Sequence, residues 1–224
     1  MPLDIFRIRA ICFDIDGTLS DTDDLTIAQM AHWLSPLRLF MPADRLSVVT
    51  RRLVMGMEFP INLIYEWLDR INLDGLLFHL RDRLSGFGFH QKNNFLLVNG
   101  VVPMLESLRQ RYPLAVVSAR DEHSTFAFLK QYELLRFFKV IVTSQTCPHT
   151  KPFAQPLLFA AEKLGVSPQS ILMVGDTAVD IKTGRYAGAQ TLGVLCGFGT
   201  ERELNRAGAD MVLPSTADLI NLFT

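Results

Sequence analysis

Five short apolar runs constrain this chain more than any other feature: residues 8–15, 114–118, 140–144, 171–175 and 191–195. A weaker sixth lies at 210–213. Each is rich in β-branched residues and is apolar rather than alternating, so each predicts a strand covered on both faces. Between them the spacing predicts helices at 102–111, 122–131, 153–164, 181–187 and 201–207. Strands alternating with helices imply an α/β fold, a Rossmann-like parallel sheet core with helices on both faces. A chain of 224 residues, 49% hydrophobic, holds one sizeable domain or a core with a smaller insertion.

One segment breaks the alternation. From Thr22 to about Asn94 only helical spacing occurs, as in Ile27, Met30, Ala31 and Leu34, and again in Ile61, Ile64, Tyr65 and Leu68. Pro36, Pro42 and Gly56 punctuate it, and Gly86-Phe87-Gly88 and Lys92-Asn93-Asn94 mark its far end. We therefore expect a core formed by residues 1–20 and 95–224 with an inserted α-helical domain at 21–94, joined by flexible crossings near 20–22 and 93–99. The net charge of −1 indicates neither a nucleic-acid surface nor a basic membrane patch. Cys12, Cys147 and Cys196 show no CxxC spacing, so a reducing compartment is expected. No apolar run approaches the roughly 18 residues of a membrane span, and a cytoplasmic location is the expectation.

In an open parallel sheet, ligands bind outside the carboxyl ends of the strands. Here those ends carry Asp14 and Asp16, then Ser118, then Lys151-Pro152 ahead of a helix, then Gly175-Asp176-Thr177-Ala178-Val179-Asp180. Two carboxylates at the end of a buried strand repel one another and lose hydration, so a positive group is expected between them. Gly17 permits a sharp departure from the strand. If a helix starts near Thr177, Asp176 and Asp180 stand about one turn apart and face one cation. Carboxylates, a hydroxyl and a lysine on one edge suit a hard divalent cation and a phosphoryl group.

Taken singly, each residue has a plainer reading. Asp14 and Asp16 can make an Asx-type turn. Ser118, beside Asp121 and Glu122, can cap a helix, as can Asp176. Lys151 can be a solvated loop lysine. His32, His79, His90, His123 and His149 form no spaced cluster.

Four motifs in order, FDIDGT (13–18), VVSA (116–119), Lys151-Pro152 and VGDTAVD (174–180), resemble those of the haloacid dehalogenase-like (HAD) phosphohydrolase superfamily. The resemblance covers nearly the whole chain. The 102 positions from Asp16 to Ser118 are similar to those of the members with a helical cap between the first two motifs, and the general look is phosphoglycolate phosphatase-like. The resemblance implies Asp14 as nucleophile, Asp16 as general acid/base, Lys151 as the catalytic cation that offsets phosphoryl charge, and Ser118 with Ala119 as the phosphate-binding turn. It implies Mg²⁺ held by the Asp14 carboxylate, the Asp16 carbonyl and Asp176, with Asp180 and Thr18 just behind the ligands. Arg52 and Gly56, in RRLVMGME (51–58), fall where the cap of such enzymes contacts substrate.

Within that resemblance, the GDTxxD form favours hydrolysis, and Asp16 argues against dehalogenation. One departure is TSQTCPHTKP (143–152), which lacks the commoner glycine before the lysine. The expectation is a Mg²⁺-dependent phosphatase acting on a small phosphorylated metabolite. No nucleic-acid or membrane partner is expected, and a monomer or homodimer is. The alternatives are an inorganic pyrophosphatase or nucleotide phosphatase, a phosphosugar mutase, or a non-catalytic binding protein that retains the fold.

Overall fold

The structure, a computed structural model, describes residues 3–21 and 95–223. These belong to one of two units of the chain, Met1–Asp23 with Phe95–Thr224. The other, Asp24–Asn94, lies outside the described residues, as do the expected helical cap, Arg52 and Gly56.

Six parallel strands form one sheet in the order β3-β2-β1-β4-β5-β6. They are β1 (Ala10–Phe13), β2 (Leu114–Val117), β3 (Phe138–Val142), β4 (Ile171–Gly175), β5 (Gln190–Val194) and β6 (Met211–Leu213). The helices between them are α1 (Val101–Leu108), α2 (Glu122–Gln131), α3 (Gln155–Leu164), α4 (Ala178–Ala187) and α5 (Glu201–Ala207).

Successive strand residues face opposite sides of a sheet, and here the two sides differ in bulk. Ile11, Phe13, Leu114, Val116, Leu172 and Val174 face a core with Val101, Leu105 and Leu108 of α1 and Phe128 of α2. Ala10, Cys12, Ala115, Val117, Ile171 and Met173 face Leu157, Ala160 and Ala161 of α3. Both layers are buried, which explains why the strands read as apolar throughout rather than alternating.

Several bounds differ from expectation. The first strand is confined to Ala10–Phe13, and the third starts two residues earlier than expected and stops at Val142. There the chain turns, the Thr143 amide donating to Thr146 Oγ1 and the Ser144 amide to the Arg120 carbonyl (both 2.9 Å). Helix α4 starts three residues earlier than its apolar spacing suggests, because the Thr177–Asp180 capping box opens it at Ala178. The crossings expected to be flexible are paired where described: the Asp21 amide donates to the Leu96 carbonyl (2.9 Å) and the Val98 amide to that of Leu19 (3.0 Å). All three cysteines are free, and among the described residues no helix is long and apolar enough to cross a membrane.

Candidate active site

The register of the sheet aligns the motif residues along one edge. Phe13 pairs with Val116 on one side and Val174 on the other, so Asp14, Ser118 and Asp176 leave three adjacent strands together. The amide of Asp14 donates to the Val174 carbonyl and that of Ser118 to the Val142 carbonyl, both at 2.9 Å, tying the strand ends to one another.

Lys151 reaches this edge from the loop before α3 and is buried, not solvated. Its Nζ donates to Asp14 Oδ1 and to Asp180 Oδ1, each at 2.6 Å. The other Asp180 oxygen accepts from the Thr177 amide (3.1 Å) and from Thr177 Oγ1 (2.6 Å), so Asp180 links the start of α4 to Lys151. Asp14, Asp176 and Asp180 are all buried, each offering an oxygen within 4.8 Å of the others.

Burial, with lesser contributions from Asp180 and Asp16, pushes the Asp14 carboxyl up to about 7, against the opposing pull of Lys151. Burial followed by Asp180 and Asp14 holds Asp176 well above the usual carboxylate range. Burial alone would lower the Lys151 ammonium, but Asp14 and Asp180 raise it above its ordinary value. Three buried carboxyls thus share one lysine, and burial favours the protonated form of Asp14 and Asp176 where no further cation is present.

Asp176 is gripped on one side only. Its Oδ2 accepts from the Phe198 amide at 2.7 Å, in the loop after β5. Its Oδ1 is buried and has no hydrogen-bond partner among the described residues. Such an orphaned oxygen, beside two further carboxylates, fits a hard oxygen-seeking cation such as Mg²⁺. The turn wraps closely here: Gly17 has φ +69°, and a Cβ on it or on Gly197 would run into the Asp176 carboxylate.

Asp14 and Asp16 do not share a single counter-charge. Asp14 takes Lys151, while Asp16 takes Arg120, whose Nε donates to Asp16 Oδ2 at 2.7 Å and whose Nη2 donates to Asp16 Oδ1. Ser118 is buried and its Oγ accepts from the Arg120 amide (3.2 Å). It does not cap α2, since Asp121 does so by accepting from the Ser124 amide (2.9 Å). Nor does Asp176 cap α4, where the N-cap is Thr177. Ala119 is exposed beside Ser118. Thr18 is held elsewhere: its carbonyl accepts from Thr216 Oγ1 (2.6 Å), and its buried Oγ1 finds no hydrogen-bond partner among the described residues.

Two contributors escape a reading by motif. Arg120 sits two residues beyond Ser118, and the Phe198 amide lies in Gly197-Phe198-Gly199, at the carboxyl end of a strand that carries no expected site residue. The glycine spacing at that strand end was the available signal.

A doubly covered parallel sheet with buried carboxylates and a lysine at its carboxyl edge defines an α/β core whose candidate site lies where such sheets bind ligands. The family model of the haloacid dehalogenase-like hydrolases matches residues 11–194, and the chain belongs to that family. It is an enzyme, a phosphohydrolase of that family. The chain is 28% identical to pyrophosphatase PpaX of Oceanobacillus iheyensis over 217 residues, 96% of each protein. It is likewise 28% identical to phosphoglycolate phosphatase of Chromobacterium violaceum over 225 residues, 98% of each. In fold it is similar to a haloacid dehalogenase-like family hydrolase from Streptococcus pneumoniae, with a TM-score of 0.68 at 23% identity, covering 98% of this chain and 100% of the other.

Proposed function

We propose that the protein is a Mg²⁺-dependent phosphatase of a small phosphorylated metabolite, acting in the cytoplasm through an aspartyl-phosphate on Asp14. The observation that carries this reading is the Lys151 Nζ bridge between Asp14 and Asp180, beside an Asp176 Oδ1 with no hydrogen-bond partner among the described residues. Asp14 and Asp176, with the Asp16 carbonyl, would hold the cation, with Asp180 behind them. When bound, Mg²⁺ supplies positive charge that draws a phosphoryl group to the edge and offsets the charge spreading over it.

The steps belong to the side chains. A carboxylate oxygen of Asp14 attacks phosphorus, and the bond to the leaving oxygen breaks as Asp16 gives that oxygen a proton. Water, giving a proton to Asp16, then attacks the same phosphorus. The bond to Asp14 breaks, freeing phosphate and restoring the carboxylate. Lys151 keeps Asp14 aimed and favours its charged form in a buried place, and Ser118 Oγ would donate to a phosphoryl oxygen. Residues 21–94, including Arg52 and Gly56, would select the leaving group as a cap.

Substrates resembling those that name the two relatives, pyrophosphate and phosphoglycolate, are the first to try. Phosphate release would be followed over a panel of both, nucleotides and sugar phosphates, with Mg²⁺ and with chelator. Metal-dependent release from one or two compounds, lost in Asp14→Asn, is expected. Equal release by wild type and Asp14→Asn would end the reading.

A further inference from the structure

We propose that Arg120 is the positioning residue of Asp16, and that Phe95 and Phe128 form the aromatic seat that orients its guanidinium. The inference rests on Asp16 acting as the acid, as proposed above. Asp16 stands on the turn after β1, where a short carboxylate has more than one rotamer open to it. Arg120 removes that freedom by engaging both oxygens at once, Nε on Oδ2 and Nη2 on Oδ1.

Arg120 is itself fixed at both ends. Its amide donates to Ser118 Oγ and its carbonyl accepts from the Ser144 amide (2.9 Å). Its guanidinium carbon lies 5.0 Å from the Phe95 ring centroid and 5.7 Å from that of Phe128, within cation–π range of both. The two rings meet edge to face at 5.7 Å, and Phe128 meets Tyr132 in the same way. The Phe95 carbonyl accepts from Gln131 Nε2 (3.1 Å) and from Tyr132 Oη, which pins the seat to α2.

The arrangement is a poor one for stability alone. Only 12% of the Arg120 side chain is exposed, and its buried Nη1 has no hydrogen-bond partner among the described residues. A buried donor left unpaired costs stability, and taking a guanidinium largely out of water offsets much of the attraction of its ion pair. Aiming Asp16 at a leaving oxygen accounts for that cost.

The test separates aim from mere integrity by the leaving group. Dinitrophenolate departs with little need of a proton, whereas phenolate needs one. With dinitrophenyl phosphate and phenyl phosphate as probes, Arg120→Ala should lower kcat/KM on phenyl phosphate by about tenfold or more, within the range general acids contribute. On dinitrophenyl phosphate the loss should stay within about threefold. Added ethylguanidinium should restore part of the phenyl phosphate rate. Arg120→Lys should show the same selective loss, since an ammonium cannot make the two-pronged contact.

Phe95→Leu should show the selective loss in smaller degree. Equal losses on both probes in Arg120→Ala and Arg120→Lys, or no loss on phenyl phosphate, would overturn the proposal. Asp16→Asn, run beside them, isolates its foundation. If that variant keeps its phenyl phosphate rate, the acid assignment itself falls. If it loses the rate while both Arg120 variants keep theirs, only the role of Arg120 falls.

Discussion

Lys151 holds two buried carboxylates at 2.6 Å each, and removing it would leave both without their cation. Breaking a buried ion pair by deleting one partner typically costs about 3–5 kcal/mol. Lys151→Met should therefore lose stability of that order in urea unfolding at neutral pH, together with nearly all turnover. A variant as stable as wild type would show that Asp14 and Asp180 are compensated by other groups. The raised Asp14 carboxyl makes a second prediction. Between its ordinary 3.8 and about 7, the folded protein holds a proton that the unfolded chain has lost. Stability in chelator should therefore fall as pH rises through that window, with Asp176 acting in the same direction. Urea midpoints across the window would check this, and Asp14→Asn should flatten the decline. A wild-type midpoint that rises with pH would contradict the buried, raised carboxyl.

The residues that sequence could reveal are those whose chemistry is unusual where they stand. Asp14 and Asp16 end an apolar run, and Lys151 precedes a proline and a helix. Arg120 was missed because Arg120-Asp121-Glu122 reads as a solvated charge run. Its partner is 104 positions away and its seat depends on tertiary packing. The Phe198 amide could not be found by side-chain type, since a backbone donor has none.

Elements were legible by type more than by extent. Helix α2 and helix α5 match their expected bounds because a cap residue precedes each, Asp121 and Thr200. Helix α4 was cut short because a capping box, Thr177 with Asp180, sets its start rather than the apolar spacing. Its far half is packed against the sheet: a Cβ at Gly184 would run into Thr191 Cγ2 and lie 3.2 Å from Met173 Cβ. Gly184→Ala should cost about 1–3 kcal/mol by overpacking, read from urea midpoints, and leave kcat/KM little changed. An unaltered midpoint would mean that α4 shifts freely on β4 and β5. Thr177→Val should cost about 1 kcal/mol as a lost cap and also slow turnover, because Asp180 Oδ2 then keeps only the Thr177 amide and is held less firmly toward Lys151. Stability loss without any rate loss would separate the cap from the site.

Over the whole molecule, the doubly covered parallel sheet followed from the apolar runs, because only burial on both faces favours strands without a polar side. The strand order did not follow from them. It places β1 and β4 side by side at the centre, bringing Asp14 and Asp176 together from opposite ends of the sequence. Specificity is the least legible part, since helical periodicity at 21–94 names no residue that would meet a substrate.

The central claim is that phosphorus passes through Asp14. Rapid acid quench of wild type during turnover of its best substrate, followed by peptide mass analysis, tests it directly. The account predicts one phosphoryl group on the peptide containing Asp14, located to that residue by borohydride reduction and absent in Asp14→Asn. Wild type that turns over without a phosphorylated peptide at any quench time, or that carries the phosphoryl group on another residue, would contradict it.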